Sequence, residues 1–498
     1  MKFGEILRHI KVKNVLIGNG SFENSEIILI CSDSRKACGN SVFVCIKGLS
    51  SDGHIYAQSA YANGCRIFIA EHELQLPNDA TVIVTEDTRK VLATVSQVFY
   101  GYPSREIKVI GITGTKGKTT TAQLIYHILL SRGIKAGYIG TNGVSFDGKF
   151  FETKNTTPES TELAAYMRMM IDAGVGYVAL EVSSQAIYLD RIYGIEFDTC
   201  IFTNLSPDHI GEKEHPTFEH YRDCKARLFS DYAPKIAIYN ADDPASEYMM
   251  KNCPSPKFSY SCHGKSDFSA DGEKIEYFRE SGKLGIKFDI KVGDKTEHVK
   301  LPLPGEYNAS NALAAVAACV GAGVSPHDAA VSLENVALKG RFEVVDALPY
   351  ATFVIDYAHN ALSLESVLKT LRKYNPHRLI CVFGSVGGRT QMRRAELGKV
   401  ASELADFCII TSDNPDNEAP EKIIDEIADA FVKDGADYIK IVSRREAVLT
   451  AVHMAQKDDI VLFAGKGHED YQLVCGKKEY FSERETIIEG AFGMLLGR

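Results

Sequence analysis

The 498-residue chain is 45% hydrophobic with a formal net charge of −9, a composition ordinary for globular protein and a length that suggests roughly three or four domains. Its basic residues form only short pairs such as Arg393-Arg394 and Arg444-Arg445, which argues against a nucleic-acid partner. No stretch approaches the ~18 apolar residues needed to cross a bilayer, and Met1 to His9 lacks an export core, so a cytoplasmic protein without membrane insertion is expected.

The twelve cysteines include no C-x-x-C pair. Cys31, Cys38 and Cys45 are evenly spaced but sit in different apolar runs, so reduced and mostly buried thiols are expected.

In chain order, residues 1–102 read as a mixed α/β segment with strands predicted over 26–30, 41–46 and 80–84, closed by the turn Tyr102-Pro103-Ser104. Residues 103–338 begin with a buried strand over 108–113. A helix follows from Thr119, where Leu124, Ile125, Ile128 and Leu129 recur at helical spacing until Gly133. Further strands are predicted over 177–182, 199–203 and 235–239, polar and apolar residues alternate over 265–304 as in antiparallel hairpins, and an alanine-rich helix spans 308–319. Residues 339–498 restart the alternation, with strands predicted over 353–356, 379–383, 407–411, 438–442 and 460–464 separated by helical stretches. The fold class is therefore α/β, with a parallel sheet in the centre and a doubly wound, Rossmann-like C-terminal domain.

Between the first central strand and its helix lies Gly111-Ile-Thr-Gly-Thr-Lys-Gly-Lys-Thr-Thr-Thr121. Glycines let backbone amides converge on phosphate oxygens, the helix N-terminus adds partial positive charge, Lys118 supplies a point charge and Thr119 a hydroxyl for magnesium. Gly114, Thr115, Lys116, Gly117 and Thr120 complete the cradle. The strict phosphate-loop pattern asks for glycine at position 112, which is Ile112, with the glycine displaced to Gly111. A turn that binds nothing would explain the glycines but not Lys-Thr-Thr at a helix start.

Further motifs accumulate: Asp33-Ser-Arg35, Asn155-Thr-Thr-Pro-Glu-Ser160, Glu181-Val-Ser-Ser184, Asn204-Leu-Ser-Pro-Asp-His209, Asn308-Ala-Ser-Asn311, Gly340-Arg-Phe-Glu343, Asp356-Tyr-Ala-His359 and Gly465-Lys-Gly-His-Glu-Asp-Tyr-Gln472. Together with the phosphate loop they resemble the Mur ligases over nearly the whole chain, and the displaced glycine is what that family shows. Lys116 departs from it, standing where the family usually has Asn.

The resemblance implies three domains: residues 1–102 for the UDP-MurNAc end of the substrate, 103–338 for ATP, and a mobile 339–498 for the incoming amino acid. It implies ligation through an acyl phosphate: ATP phosphorylates the D-glutamyl carboxylate of UDP-MurNAc-L-Ala-D-Glu, and the amine of a free diamino acid displaces the phosphate. Such a step rests on positioning and on magnesium and cations about the γ-phosphate. Lys118, Glu181, His209 and Lys225 are the catalytic set that it implies. Thr119, Glu181, His209 and Lys225 would serve Mg2+, Lys225 through a carbamate made with carbon dioxide. Read from residues alone, Glu181 is a salt-bridged strand end, His209 a turn residue and Lys225 a solvated helical lysine. Asn308, Asn311, Arg341, Asp356 and His359 match family positions near the nucleotide, while Ser34, Asn155, Thr156, Thr157, Ser183 and Arg191 match those for the UDP-MurNAc dipeptide, where hydroxyls, amide and guanidinium suit pyrophosphate and carboxylate. Capping and turn roles compete for the threonines. A monomer is expected.

The amino-acid site implied by the resemblance comprises Arg389, Asp413, Asn414, Asp416, Gly465 and Glu469. Diaminopimelate enzymes of the family hold the distal carboxylate with an Arg where this chain has Asp416. Losing a paired, desolvated charge costs roughly 2 to 5 kcal/mol, so the reversed sign favours L-lysine, with diaminopimelate or ornithine as alternatives. Asp416 as a plain turn residue carries about equal weight. A sensor or transport ATPase is the reading from another class, and would turn over without an amine. A folylpolyglutamate or cyanophycin-type synthetase shares the loop but not Asp33-Ser-Arg35 or Gly465-Lys-Gly-His-Glu469.

Overall fold

The computed structural model describes residues 1–16, 22–48, 51–208, 210–211, 214–280, 283–338, 340–388, 392–432 and 435–496. They fall into two compact units, Met1–Ser269 with Ser310–Ala329, and Ala270–Ala309 with Ala330–Arg498.

In the first unit, β1 (Asn14–Leu16), β2 (Leu29–Cys31), β3 (Ser41–Val44), β4 (Ile67–Ala70) and β5 (Thr81–Val84) form a sheet in the order β1-β5-β4-β3-β2, parallel except for β1. β3, β4 and β5 are buried along their whole length, as apolar runs in a parallel sheet covered on both faces should be. The predicted strand over 26–30 begins instead at Leu29, because the Ile27 amide bonds Met1 O and Ile28 is 61% exposed. Asp87 caps the following helix Thr88–Phe99 by accepting from the amides of Arg89 and Lys90.

The unit's second sheet is built from β6 (Lys108–Thr113), β7 (Ala136–Gly140), β8 (Gly143–Phe146), β9 (Lys149–Phe151), β10 (Tyr177–Glu181), β11 (Thr199–Phe202), β12 (Ile236–Asn240), β13 (Lys257–Ser261) and β14 (Phe268–Ser269). The order is β14-β13-β12-β11-β6-β10-β7-β8-β9, parallel apart from the antiparallel turnbacks β7-β8-β9. Strand order reverses about β6, so the crevice beyond its carboxyl end is the switch point where open α/β sheets place ligands. Helices Lys118–Ser131 and Ser160–Asp172 cover it, with Leu163, Met167, Val178, Leu180 and Phe197 in one buried cluster.

Gly111 is not part of the loop that follows. It lies within β6, opposite Leu180 and Cys200, and a Cβ there would stand 2.7 Å from the Phe197 ring. The displaced glycine is thus a packing residue, and the loop proper starts at Gly114.

In the second unit, β15 (Glu276–Glu280), β16 (Lys283–Val292) and β17 (Lys295–Leu301) are antiparallel, as the alternation predicts. β18 (Glu343–Val345), β19 (Thr352–Asp356), β20 (Leu379–Phe383), β21 (Phe407–Ile410), β22 (Asp437–Lys440) and β23 (Ile460–Ala464) form a sheet ordered β18-β19-β23-β20-β21-β22, parallel except for β18. A hairpin of β24 (Tyr471–Val474) and β25 (Lys477–Tyr480) follows. The buried Arg444 pairs with Glu483 at 2.6 Å and donates to Ser412 O and Ala464 O, tying together the carboxyl ends of β21 and β23. A buried charge is tolerated only when its hydrogen bonds are met in this way.

The cysteines form no disulfide, and all but Cys38 and Cys475 are buried. Among the described residues no helix is long and apolar enough to cross a membrane.

Replacing Gly111 with Ala tests its packing role. Phe197 is buried, so the added methyl should destabilise the chain by about 1–3 kcal/mol, read as a lower midpoint in urea unfolding. An unchanged midpoint would refute the packing account.

Candidate active site

The loop after β6 is held by side chains from the end of β11. Asn204 accepts from the Lys116 amide at 2.8 Å and donates to Lys116 O at 3.0 Å, Thr203 Oγ1 donates to the same carbonyl, and the Thr115 amide bonds Asn204 O. Gly114 and Gly117 have φ of 153° and 83°. A Cβ on Gly114 would meet Thr203 Oγ1 at 1.9 Å, and one on Gly117 would meet Asn311 Oδ1 at 2.4 Å. Only glycine allows the backbone so close. Lys118 Nζ donates to Gly114 O and Thr115 O, while the Lys116 side chain is exposed. A lysine and a helix N-terminus beside a glycine cradle fit a polyphosphate.

Beside the cradle, Glu181 ends β10 level with Ile112 and is wholly buried. It accepts four hydrogen bonds, from Thr119 Oγ1 at 2.9 Å, Tyr138 Oη at 2.6 Å, and the amide and hydroxyl of Thr141 at 3.0 and 3.2 Å. The Thr119 hydroxyl and the Glu181 carboxyl are hard oxygen donors and fit magnesium, which binds proteins through one or two such groups. Gly140 must be glycine for this packing, since a Cβ would lie 2.1 Å from Glu181 Oε1.

Lys225, on helix Phe218–Ser230, is 1% exposed and its Nζ donates to Gly114 O at 2.8 Å. Burial, and then the positive charge of Lys118, hold this amine well below the ordinary lysine range. It is therefore not the solvated helical lysine that its residue pattern suggests. A neutral amine is the form that adds carbon dioxide to give a carbamate, and the shift has the right sign for it.

Of the dipeptide residues, Thr157 donates to Glu181 O at 2.8 Å and receives the Ser183 amide, and Ser183 Oγ caps helix Ser184–Tyr188 by accepting from the Ala186 amide. Capping and turn roles are thus real for these two. Thr156 faces Thr141 at 3.1 Å. Arg191 binds Glu159 at 2.8 Å and Thr157 O at 3.2 Å, and together with Arg89, Glu159, Ser32, Gly53 and Tyr56 lines a cleft of ≈310 Å³. Asn155 is exposed, and Ser34 sits in the turn capped by Asp33. Sequence reasoning missed Arg89, Tyr138 and Thr141. Arg89 reaches Lys47 O and Leu189 O, a convergence that no local pattern signals.

The remaining residues lie in the second unit. Asp356 at the end of β19 is buried and accepts from the amides of Phe342 and Ala358, and burial raises its pKa. His359 Nδ1 pairs with Tyr357 O, and burial lowers the histidine, so the ring is neutral at pH 7. Arg341 stands over the Tyr357 ring at 5.2 Å. Asn308 donates to Pro304 O. Gly340 and Gly467 let two loops touch, since Cβ atoms there would lie 2.2 Å from the His468 amide and 2.6 Å from Tyr357 Cβ.

Past β21 and β23, Lys466 is completely buried and donates to Asn414 Oδ1 and Glu469 Oε2, both at 2.8 Å, with Asp413 at 3.7 Å. Asn414 also donates to Glu469. Gly465 approaches Asp413 so closely that a Cβ would be 2.7 Å from its Oδ2, and Asp413 Oδ1 is buried without a hydrogen bond. Lys466, which the sequence reading passed over, is the cation that organises this cluster. Asp416 is bound to the neighbouring hairpin. With φ of 51° it accepts from the Gly476 amide at 2.8 Å and so closes the β24-β25 turn, rather than capping helix Pro420–Ala428, whose N-cap is Ala419. His209 and Arg389 lie outside the described residues.

A glycine cradle at a sheet switch point, with hydroxyl, carboxyl and buried amine around it, defines a nucleotide-using enzyme of the phosphate-loop class. Family models agree in detail: the Mur ligase family catalytic domain matches residues 26–100, the Mur ligase middle domain residues 112–319, and the Mur ligase glutamate ligase domain residues 340–467. The chain is 40% identical over 471 residues to the UDP-N-acetylmuramoyl-L-alanyl-D-glutamate--2,6-diaminopimelate ligase of Clostridium botulinum, covering 93% of this chain and 95% of that one. It is 38% identical over 494 residues to the protein of the same name from Bacillus licheniformis, covering 98% of each. A solved structure of a ligase with this name superimposes with a TM-score of 0.70 at 27% identity over 99% of both chains. The chain belongs to the Mur ligase family and is an ATP-dependent ligase that forms carbon-nitrogen bonds in peptidoglycan synthesis.

Gly114→Ala should weaken ADP binding more than tenfold in isothermal titration calorimetry, because the loop cannot keep its approach to Thr203. Binding at wild-type strength would show that the cradle is not the nucleotide site.

Proposed function

We propose that the enzyme joins a diamino acid of the 2,6-diaminopimelate type to the D-glutamyl carboxylate of UDP-N-acetylmuramoyl-L-alanyl-D-glutamate. The relatives named above carry that activity in their names at up to 40% identity over nearly the full chain. This shifts the weight from L-lysine, which rested on the charge of Asp416. That carboxylate holds the Gly476 amide, so a turn role accounts for it without an ammonium partner. Lysine keeps one favourable observation, the negative charge itself.

The observation that carries the ligase chemistry is the buried Lys225 amine against Gly114 O, whose pKa burial and the charge of Lys118 push well down. We assign Lys225 as the carbamylated residue, with Thr119, Glu181 and His209 as its companions around Mg2+. Magnesium supplies charge neutralisation for phosphoryl transfer. The chain's part is to orient: the cradle and Lys118 hold phosphate oxygens, and Thr119 and Glu181 hold hard oxygen donors at fixed places. Arg191 and the cleft that it shares with Arg89 receive anionic groups of the UDP-MurNAc dipeptide, with Ser34, Asn155, Thr156, Thr157 and Ser183. Asp413, whose Oδ1 is buried and unsatisfied, is assigned to the ammonium of the incoming amino acid, with Asn414, Gly465, Glu469 and Arg389 around it. Asn308, Asn311, Arg341, Asp356 and His359 are assigned to the nucleotide. The three domains are proposed as 1–102, 103–338 and 339–498, and ATP and UDP-linked substrates place the reaction in the cytoplasm.

With ATP, Mg2+ and UDP-MurNAc-L-Ala-D-Glu, the purified protein should give a product whose mass corresponds to added diaminopimelate. Lysine addition without diaminopimelate addition would return Asp416 to the role of specificity residue, and phosphate release without either amine would indicate an ATPase.

Lys225→Ala should lower turnover at least a hundredfold and regain part of it with a short-chain carboxylate that replaces the carbamate. Normal turnover by the variant would remove Lys225 from the mechanism.

A further inference from the structure

A second group of ligating side chains sits just ahead of Lys225 and has no part in the ligase chemistry above. His215 lies three residues ahead of helix Phe218–Ser230, and His220 and Cys224 stand one turn apart on that helix. His215 Nδ1 lies 2.8 Å from His220 Nδ1, and Cys224 Sγ lies 3.8 Å from the same nitrogen. One ligand atom from each of the three is within 4.8 Å of the other two. His215 and Cys224 are buried and His220 is half-buried, so the group is closed on the protein side and open on one. The other ring nitrogen of His215 is 2.9 Å from Ser184 Oγ.

We propose that His215, His220 and Cys224 bind a divalent transition metal ion of the zinc class. Zinc takes imidazole nitrogen at ~2.0–2.1 Å and thiolate sulfur at ~2.3 Å in a tetrahedron. The corresponding corners are about 3.3 Å apart for two nitrogens and about 3.5 Å for nitrogen and sulfur. The sulfur is already near that distance from His220 Nδ1 and within 4.8 Å of His215, and the imidazoles need separate by only about half an ångström. Residues i and i+4 on a helix face the same way, which gives two ligands from one rigid element. His215 supplies the third from the preceding segment, with its Nε2–H donating to Ser184 Oγ as an outer-shell contact that fixes the tautomer. The fourth position faces the open side and takes water. Imidazole and thiolate select against magnesium, so the site would not compete for the ion used in phosphoryl transfer. Bound metal would clip the segment at 215 to the helix that presents Lys225, and Cys224 is its neighbour in sequence.

The test uses the full chain, reduced and freed of metal by a chelator, titrated with Co2+ in the presence of excess Mg2+. The expected result is one equivalent bound with a near-ultraviolet sulfur-to-cobalt charge-transfer band and visible d–d bands of tetrahedral intensity, both lost on adding Zn2+. Cys224→Ser should abolish the near-ultraviolet band and His220→Ala should weaken binding roughly tenfold or more, while Cys475→Ser should change neither. Circular dichroism establishes that each variant is folded. Should Cys224→Ser fail to fold, His220→Ala, altered on its half-exposed side, decides the matter. The proposal is overturned if the wild-type chain shows no thiolate band, if the band survives in Cys224→Ser, or if His220→Ala binds as tightly as wild type. The 2.8 Å contact is then an N–H···N hydrogen bond between two imidazoles. None of these readings depends on turnover.

Discussion

The constraint on which the first unit depends is the burial of a carboxyl group and an amine at the carboxyl end of β6. Glu181 is wholly buried and Lys225 nearly so, and a buried ionisable group is costly unless its hydrogen bonds are supplied. Glu181 has four donors around it. Lys225 has the Gly114 carbonyl and lies over the Tyr221 ring at 4.5 Å. The backbone here comes closer to its neighbours than any side chain would permit: Gly140 makes room for Glu181, Gly114 for Thr203 and Gly117 for Asn311.

The same logic recurs in the second unit with the charges exchanged. There a lysine, Lys466, is the buried centre, and Asp413, Asn414 and Glu469 surround it. Gly465 gives Asp413 its room, and Arg444 with Glu483 ties the strands from which these loops depart. Each unit thus places its chemistry on loops at carboxyl ends of parallel strands, held by a polar core that no single loop could stabilise alone.

Much of this was legible in the sequence. The parallel strands announced themselves as apolar runs, and 379–383 and 460–464 agree with the structure to the residue. The phosphate loop was readable because glycine, lysine and threonine have few reasons to coincide at a helix start. Less legible were residues whose role comes from across the fold. Arg89 and Tyr138 carry no motif, and Lys225 has an amphipathic helix around it that points to solvent when read alone. Asp416 was ambiguous for a physical reason, since aspartate serves a tight turn as readily as it attracts an ammonium.

The sequence by itself determined the α/β class and the phosphate cradle, because backbone periodicity and glycine placement are local properties, and its motifs carried the resemblance to an ATP-using ligase family. Tertiary structure alone decided the state of Lys225, the four-donor shell of Glu181, the packing role of Gly111 and the turn role of Asp416. Each depends on atoms 40 to 111 residues away along the chain, from Thr141 and Glu181 at the near end to Gly114 and Lys225 at the far one, and burial and hydrogen-bond partners at that separation are set only when the strands come together.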